Sequence, residues 1–174
     1  MNGPDCDWEG FGYYETELQT RVRRYRRVVM LGDSMGGSAA LLFSHLASLV
    51  IAFVPQIDLE ADIHARREDF TPSRKQRFTQ RLLANVKEAK GLIEVHRGRA
   101  AIDARHTALL EVPSEVSFEQ HVAACRGKEG APAIEPRVLV THDCDDHFVS
   151  TKLKKQGLLK AYIADRIRHH QRER

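Results

Sequence analysis

The residues best suited to chemistry lie in a glycine-rich run at positions 32–37, GDSMGG. A serine hydroxyl becomes a nucleophile only when it is exposed, positioned and deprotonated by a nearby base. The pattern Gly-x-Ser-x-Gly is typical of a sharp turn from a strand into a helix, which would lift Ser34 above a sheet. Gly32 and Gly36 lack a Cβ, so the strand and the helix can approach closely. The backbone N–H of Met35, at the start of that helix, is the expected donor to an oxyanion.

The segments on either side of this run fit such a turn. An apolar stretch at 28–31 precedes it, an Ala- and Leu-rich helical segment covers 38–49, and a second apolar stretch at 50–54 ends at Pro55. This order indicates a strand, a turn, a helix and a strand. A plain glycine-rich turn that holds a phosphate is the alternative interpretation. The run contains neither a Walker lysine nor a Gly-x-Gly-x-x-Gly pattern, and the sequence predicts no cofactor.

A reactive serine needs a base and an acid from other parts of the chain. Asp103 follows an apolar stretch at 92–96, and His147 follows another at 137–142. Because the carboxyl ends of parallel strands meet at one edge of a sheet, both side chains are expected near Ser34. In this hypothesis His147 takes the serine proton, and Asp103 fixes the imidazole tautomer and stabilises the imidazolium.

Each of these assignments has a competitor. Asp103 also suits the N-cap of the helical segment that follows it. Asp58, after the second predicted strand, is a competing acid, and His142 and His106 are competing bases. His147 also suits the cap of a surface helix. His142 is less suited to be the base, because it ends a predicted strand and the pleat fixes its direction.

The run at 142–147, HDCDDH, contains residue types that bind divalent metals. A tight turn rarely points so many side chains inward, and no distant His or Cys cluster clearly completes a site. The run is therefore interpreted as a solvated acidic turn, and no metal is predicted.

Predicted strands and helices alternate along the chain. Besides the elements above, helices are predicted at 15–25, 71–90 and 149–168, a strand at 115–123, and an exposed loop at 127–136. The alternation predicts an α/β fold, with a parallel sheet and helices on both of its faces. The length of 174 residues suits one domain, residues 1–174.

The run GDSMGGSAALLFSHLASLVIAFVPQ is similar to a group of α/β-hydrolase-like proteins whose turn reads Gly-x-Ser-Met-Gly-Gly before an Ala-Ala-Leu-Leu-Phe helix. The stretches VHRGRAAIDARHTALL and DCDDHFVSTKLKKQGLL extend this resemblance over most of the chain. The resemblance implies a three-layer sandwich and an esterase-like serine hydrolase with Ser34 as its nucleophile, and it puts the histidine at the Asp-Asp-His turn, on His147. Members of the group are mostly of unassigned activity. The expected substrate is thus only an ester or thioester of a small or glycan-linked molecule.

The chain departs from the full hydrolase pattern in its length. A full α/β-hydrolase has about eight strands, with the nucleophile after the fifth, whereas this chain reaches its serine at residue 34. The resemblance therefore covers the C-terminal half of the fold, without the first strands and the loop that supplies a second oxyanion donor. A reduced sheet of this kind is expected to self-associate or to be completed by a further N-terminal segment. Because the first strands are missing, a non-catalytic, hydrolase-like binding module is the alternative function.

Composition limits the classes of partner. Basic runs at 21–27 and 166–174 give much of the net charge of +3, but aromatic residues do not interleave with them as nucleic-acid stacking requires. No apolar run reaches the ~20 residues that span a bilayer, and no secretory signal is recognised. Cys6, Cys125 and Cys144 lack zinc-like spacing and favour a reduced compartment. A cytoplasmic protein without nucleic-acid or membrane partners is expected.

Overall fold

The computed structural model of the chain describes residues 11–59, 71–131 and 133–172. One parallel sheet forms its centre. Its strands are β1 Val29–Asp33, β2 Leu49–Phe53, β3 Leu92–Arg97, β4 Ser114–Ser117 and β5 Arg137–Thr141. They lie in the order β1-β2-β3-β5-β4, and every neighbouring pair is parallel. All five strands therefore end at the same edge of the sheet.

Seven α-helices are present in the described part of the chain. They are α1 Phe11–Val22, α2 Met35–Leu42, α3 Pro72–Glu88, α4 Ala101–Ala108, α5 Phe118–Cys125, α6 Val149–Lys155 and α7 Leu158–Arg172. None of them is long and apolar enough to cross a membrane. The charged stretch at 60–69 and Cys6 both lie outside the described residues.

The two faces of the sheet are covered by different helices. On β2, which is buried throughout, Val50 and Ala52 pack in a core cluster with side chains of α1, α2 and α3, while Leu49, Ile51 and Phe53 pack with α5, α6 and α7. Alternate residues of a strand point to opposite faces, so a strand covered on both sides is apolar at every position. The predicted α/β fold with helices on both faces is confirmed.

The N-terminus of helix α3 is set by a capping residue and a proline. The Thr71 hydroxyl accepts a hydrogen bond from the backbone N–H of Arg74, and Pro72 occupies the first turn, where its missing N–H costs nothing. Phe78, Leu82 and Val86 follow at a spacing of four and are buried against the sheet. The predicted start of this helix at 71 is confirmed.

The predicted strand at 115–123 is wrong beyond its first residues. Strand β4 ends at Ser117, whose hydroxyl accepts a hydrogen bond from the N–H of Gln120 while the Gln120 side chain accepts one from the N–H of Ser117. This reciprocal capping box starts helix α5 at Phe118. The local capping signal outweighs the partial alternation of apolar residues.

The predicted closing helix at 149–168 is also divided. Gly157 has a φ of 74°, a left-handed conformation that glycine adopts without steric cost and that ends α6. Helix α7 then starts afresh at Leu158.

Strand β1 forms one edge of the described sheet. It pairs with β2, and its side chains are only partly covered, with Leu31 49% exposed. The serine turn follows directly after this edge strand.

Candidate active site

Ser34 is the single residue between β1, which ends at Asp33, and α2, which begins at Met35. Its φ of 52° and ψ of −121° lie outside the regions that side-chain-bearing residues normally adopt. Such strain persists only where the surrounding structure fixes it. Here the N–H of Ser34 donates to the carbonyl of Phe53 on β2, at 2.9 Å. The predicted turn between a strand and a helix is therefore present, and the strand that leads into it is only partly buried.

The close approach of helix α2 to strands β1 and β2 depends on Gly32 and Gly37. A Cβ on Gly32 would lie 2.0 Å from the carbonyl oxygen of Gly36, and one on Gly37 would lie 2.9 Å from the carbonyl oxygen of Phe53. Around Gly36 itself a Cβ would meet nothing within 4 Å. The steric requirement predicted for Gly32 is confirmed, and that predicted for Gly36 is wrong. The contact at position 36 is made by its backbone, which any residue supplies.

Ser34, His147 and Asp103 form a continuous hydrogen-bonded chain. Ser34 Oγ lies 3.2 Å from His147 Nε2, and His147 Nδ1 lies 2.6 Å from Asp103 Oδ1. The Asp103 side chain is fully buried, whereas that of His147 remains 27% exposed. With its proton on Nδ1, donated to Asp103, the imidazole presents an acceptor lone pair to the serine hydroxyl.

Asp103 occupies the third position of helix α4, and Ala100 is the residue that caps this helix. The interpretation of Asp103 as the N-cap is therefore wrong. Its place in the first turn is favourable for a carboxylate, because the unpaired N–H groups there carry partial positive charge. The second oxygen, Oδ2, is buried and has no hydrogen-bond partner within the described residues.

Two loops at the carboxyl edge of the sheet hold the acid and the histidine together. The N–H of Arg99, in the loop after β3, donates to the carbonyl of Cys144 in the loop after β5, at 2.6 Å. A Cβ on Gly98 would lie 2.5 Å from that same carbonyl oxygen. This contact brings helix α4, with Asp103, beside the loop that carries His147.

The turn that presents His147 is fixed by Asp146. Its Oδ1 accepts hydrogen bonds from the N–H of Phe148 at 2.8 Å and from the thiol of Cys144 at 3.2 Å. The hydrogen bond from Phe148 is the main cause that lowers the pKa of Asp146. Cys144 and Cys125 are both free, buried thiols. This contact of Asp146 is not predicted from the sequence, in which Asp146 belongs to an acidic turn interpreted as solvated.

Asp58, the competing acid, and His106, one of the competing bases, make contacts with other residues. Asp58 forms an ion pair with Arg105, with 3.3 Å between its Oδ2 and the Nη2 of Arg105. His106 is buried, and its Nδ1 accepts hydrogen bonds from the N–H groups of Ile57 at 3.2 Å and Asp58 at 3.1 Å. Neither side chain is in the hydrogen-bonded chain of Ser34.

The other competing base, His142, points into the core. It follows β5 directly, and its Nε2 lies 3.0 Å from Nδ1 of His96 on β3. Burial lowers the pKa of His142 to about 4. The pleat therefore directs this histidine to the face covered by α5 and α7, away from the serine turn.

A buried polar network extends from His142 between the sheet and helices α5 and α7. His96 Nε2 lies 2.9 Å from the Tyr162 hydroxyl, and this hydroxyl donates to Glu94 at 2.8 Å. Glu94 also pairs with Arg166. Burial opposes ionisation of Glu94, but the hydrogen bond from His121 and the charge of Arg166 lower its pKa overall. This network is not among the features predicted from the sequence; its signal there is the alternation of Glu94 and His96 with Ile93 and Val95 on one strand.

The acidic run at 142–147 does not gather its side chains at one point. His142 lies in the core, His147 faces Ser34, and Asp143 pairs with Arg99. Among the residues the structure describes, no group of three or more His, Cys, Asp or Glu is arranged to hold a metal ion.

The predicted oxyanion donor, Met35, is the first residue of α2. The first four N–H groups of an α-helix have no acceptor within the helix, so the N–H of Met35 lies at the positive end of the helix dipole, next to Ser34 in the chain, without an intrahelical partner. The site thus combines a strained serine, a hydrogen-bonded imidazole, a buried carboxylate and a helix N-terminus.

Comparison with known proteins leaves the chain without an identified family. No protein-family model matches the chain, and no curated protein is significantly similar to it. Its function is therefore inferred from its fold and from the geometry around Ser34.

Proposed function

We propose that the chain is a serine hydrolase of the α/β-hydrolase type, which cleaves an ester or thioester bond of a small or glycan-linked substrate. The observation that carries this proposal is the hydrogen-bonded chain from Ser34 Oγ through His147 to Asp103, at 3.2 and 2.6 Å. Supporting it are the strained backbone of Ser34 and the resemblance of residues 32–56 to hydrolases with a Gly-x-Ser-Met-Gly-Gly turn. We further propose that it works in the cytoplasm.

The reaction begins with attack of Ser34 Oγ on the carbonyl carbon of the substrate. His147 Nε2 takes the hydroxyl proton, and Asp103 holds the imidazole in the tautomer that allows this and stabilises the imidazolium. The N–H of Met35 donates to the oxygen that becomes negative in the tetrahedral intermediate. His147 then gives its proton to the departing alcohol or thiol, leaving an acyl group on Ser34. Water, deprotonated by the same histidine, then attacks the acyl carbon, and His147 returns that proton to Ser34 Oγ as the bond to the acyl group breaks and the acid leaves.

A non-catalytic, hydrolase-like binding module is the second candidate. The observation that favours it is the position of β1 at an edge of the described sheet, with Leu31 49% exposed. A full hydrolase surrounds its nucleophile strand with further strands, and one of the connecting loops supplies a second oxyanion donor.

Labelling with a fluorophosphonate probe tests the proposal, because the probe reacts only with an activated serine. The parent chain and a Ser73→Ala control, which changes an exposed serine of α3, should both be labelled, while Ser34→Ala should not. An unlabelled parent chain that circular dichroism shows to be folded would reject the hydrolase and favour the binding module.

A further inference from the structure

The two reacting side chains have matching neighbours along the chain. Ser34 stands between Asp33 and Met35, and both of these neighbours are exposed. His147 in turn follows the exposed Asp146 and precedes Phe148, whose side chain is 64% exposed. Each reacting residue therefore lies between an exposed carboxylate and an exposed large apolar side chain.

The apolar neighbours lie close to the candidate site. The ring of Phe148 is 6.3 Å from the ring of His147, and Met35, 45% exposed, begins the helix directly behind Ser34. Ile102, next to Asp103, is 41% exposed. An exposed aromatic ring beside the imidazole offers apolar surface to a ligand at the site. Beside a nucleophile and its base, that ligand is a substrate group attached to the bond that is cleaved.

The exposed charges next to both reacting residues are carboxylates, Asp33 and Asp146, and Asp146 also interacts with Lys152 and Lys155. Arg99 pairs with Asp143 at 2.5 Å, and Arg105 pairs with Asp58 at 3.3 Å, so both guanidinium groups are neutralised by neighbouring carboxylates. The hydrogen bond from the N–H of Phe148 lowers the pKa of Asp146 and keeps that side chain negative. Like charge at a binding surface repels a ligand and slows its association.

We propose that the site selects esters that carry no negative charge and whose acyl group is an aliphatic or aromatic chain. Phe148, Met35 and Ile102 contact that chain as specificity-determining residues, while Asp33 and Asp146 exclude anionic substrates. This inference rests on the proposed hydrolase function. It narrows the substrate class, since thioesters of strongly anionic carriers are excluded.

Three p-nitrophenyl esters test the inference on the parent chain: the acetate, the hexanoate, and the monoester of hexanedioic acid. The last has the length of the hexanoate with a carboxylate at its end. The kcat/KM of the hexanoate should exceed that of the acetate by about tenfold or more, as burial of four methylene groups allows. It should exceed that of the carboxylated ester by roughly tenfold at low salt and by less at high salt, because salt screens exposed charges.

Variants assign the selectivity to particular side chains. Phe148→Ser should lower the ratio of hexanoate to acetate kcat/KM at least about threefold, the effect of roughly one methylene contact. Tyr25→Ser is the matched control. Tyr25 is an aromatic residue that is 57% exposed, and it precedes β1, so it lies near the amino ends of the strands rather than at their carboxyl ends. Asp33→Asn should raise the use of the carboxylated ester relative to the hexanoate several-fold.

The outcomes separate this inference from the proposed function. If the parent chain is labelled by a fluorophosphonate but prefers the acetate or the carboxylated ester, or hydrolyses none of the three, the substrate class is wrong and the activated serine stands. If Phe148→Ser and Tyr25→Ser change the ratio equally in folded proteins, the role of Phe148 is refuted. If the parent is neither labelled nor active, the proposed function fails and this inference fails with it.

Discussion

Asp103 Oδ1 and His147 Nδ1 lie 2.6 Å apart although 44 positions separate the two residues in the chain. The contact follows from the order of the strands. Strands β3 and β5 are neighbours, paired in register from Ile93 with Arg137 to Arg97 with Thr141, so the loops that follow them leave the same edge side by side. Strand β4 comes between them in sequence but lies outside β5 in the sheet.

Asp103→Asn should reduce kcat on a p-nitrophenyl ester by roughly 10³- to 10⁴-fold. The amide keeps the size of the carboxylate, but it neither fixes the tautomer of His147 nor stabilises its imidazolium form. Asp58→Asn is the matched control, because Asp58 pairs with the exposed Arg105, and this variant should lose less than about threefold. If Asp58→Asn lowers kcat more than Asp103→Asn does, and both variants have the circular dichroism spectrum of the parent, then Asp58 is the acid.

His147→Ala should lower kcat by roughly 10³-fold or more, as loss of the base in such a triad does. His142→Gln should retain most of the activity, because His142 contacts His96 in the core and glutamine can keep a hydrogen bond to it. Both variants are assayed with a p-nitrophenyl ester after circular dichroism. Full activity of His147→Ala together with inactivity of a folded His142→Gln would exchange the two assignments.

Much of the fold could be predicted from the sequence, because its signals are local. The apolar runs around Val50 and Val138 predict strands, and Thr71 before Pro72 predicts the start of a helix. The turn at Ser34 needs glycine at position 32, where a Cβ has no space. Loops at the carboxyl ends of parallel strands are the expected location of a site, and that rule predicts His147 as the base and either Asp103 or Asp58 as the acid.

The remaining features depend on contacts between distant segments. Nothing local distinguishes Asp58 from Asp103; the choice depends on Arg105 approaching one and His147 approaching the other. The role of Asp146 requires the hydrogen bond to Phe148 that closes its turn. Similarly, the order of β4 and β5 and the buried network around Glu94 arise only when helices α5 and α7 pack on the sheet.

Gly32→Ala should disrupt the serine turn, whereas Gly36→Ala should be tolerated. A Cβ at position 32 would lie 2.0 Å from a backbone oxygen, while one at position 36 has open space and adds helix propensity worth up to about 1 kcal/mol. Urea denaturation and fluorophosphonate labelling measure both variants. Equal stability and equal labelling of the two variants would contradict the close packing of β1 on α2.

The chain should self-associate at micromolar concentration. Within the described residues β1 pairs with β2 alone, and an unprotected edge strand with an exposed apolar residue is a template for pairing with another chain. Leu31→Lys adds a charge to that edge and should shift the population toward monomer in sedimentation velocity. Leu109→Lys, at another exposed leucine outside β1, is the control and should leave the distribution unchanged. A parent chain that sediments as a compact monomer would contradict the prediction.

The free energy of unfolding should fall as the solution is acidified, in part through His142. Burial lowers its pKa to about 4 in the folded chain, against 6.5 for an unburied histidine. Between these values the unfolded chain binds a proton that the folded chain does not, so stability declines as pH falls through this window and the effect ends below about pH 4. The full effect of this one group is about 3 kcal/mol, of which about 2 kcal/mol appears between about pH 7 and pH 5. His96, whose pKa burial also lowers, adds to the decline in the same direction.

Urea denaturation at pH values of about 7 and about 5, on the parent chain and on His142→Gln, measures this effect. The variant should show a smaller loss than the parent, and an identical loss in both would show that His142 is already protonated or solvated in the folded chain.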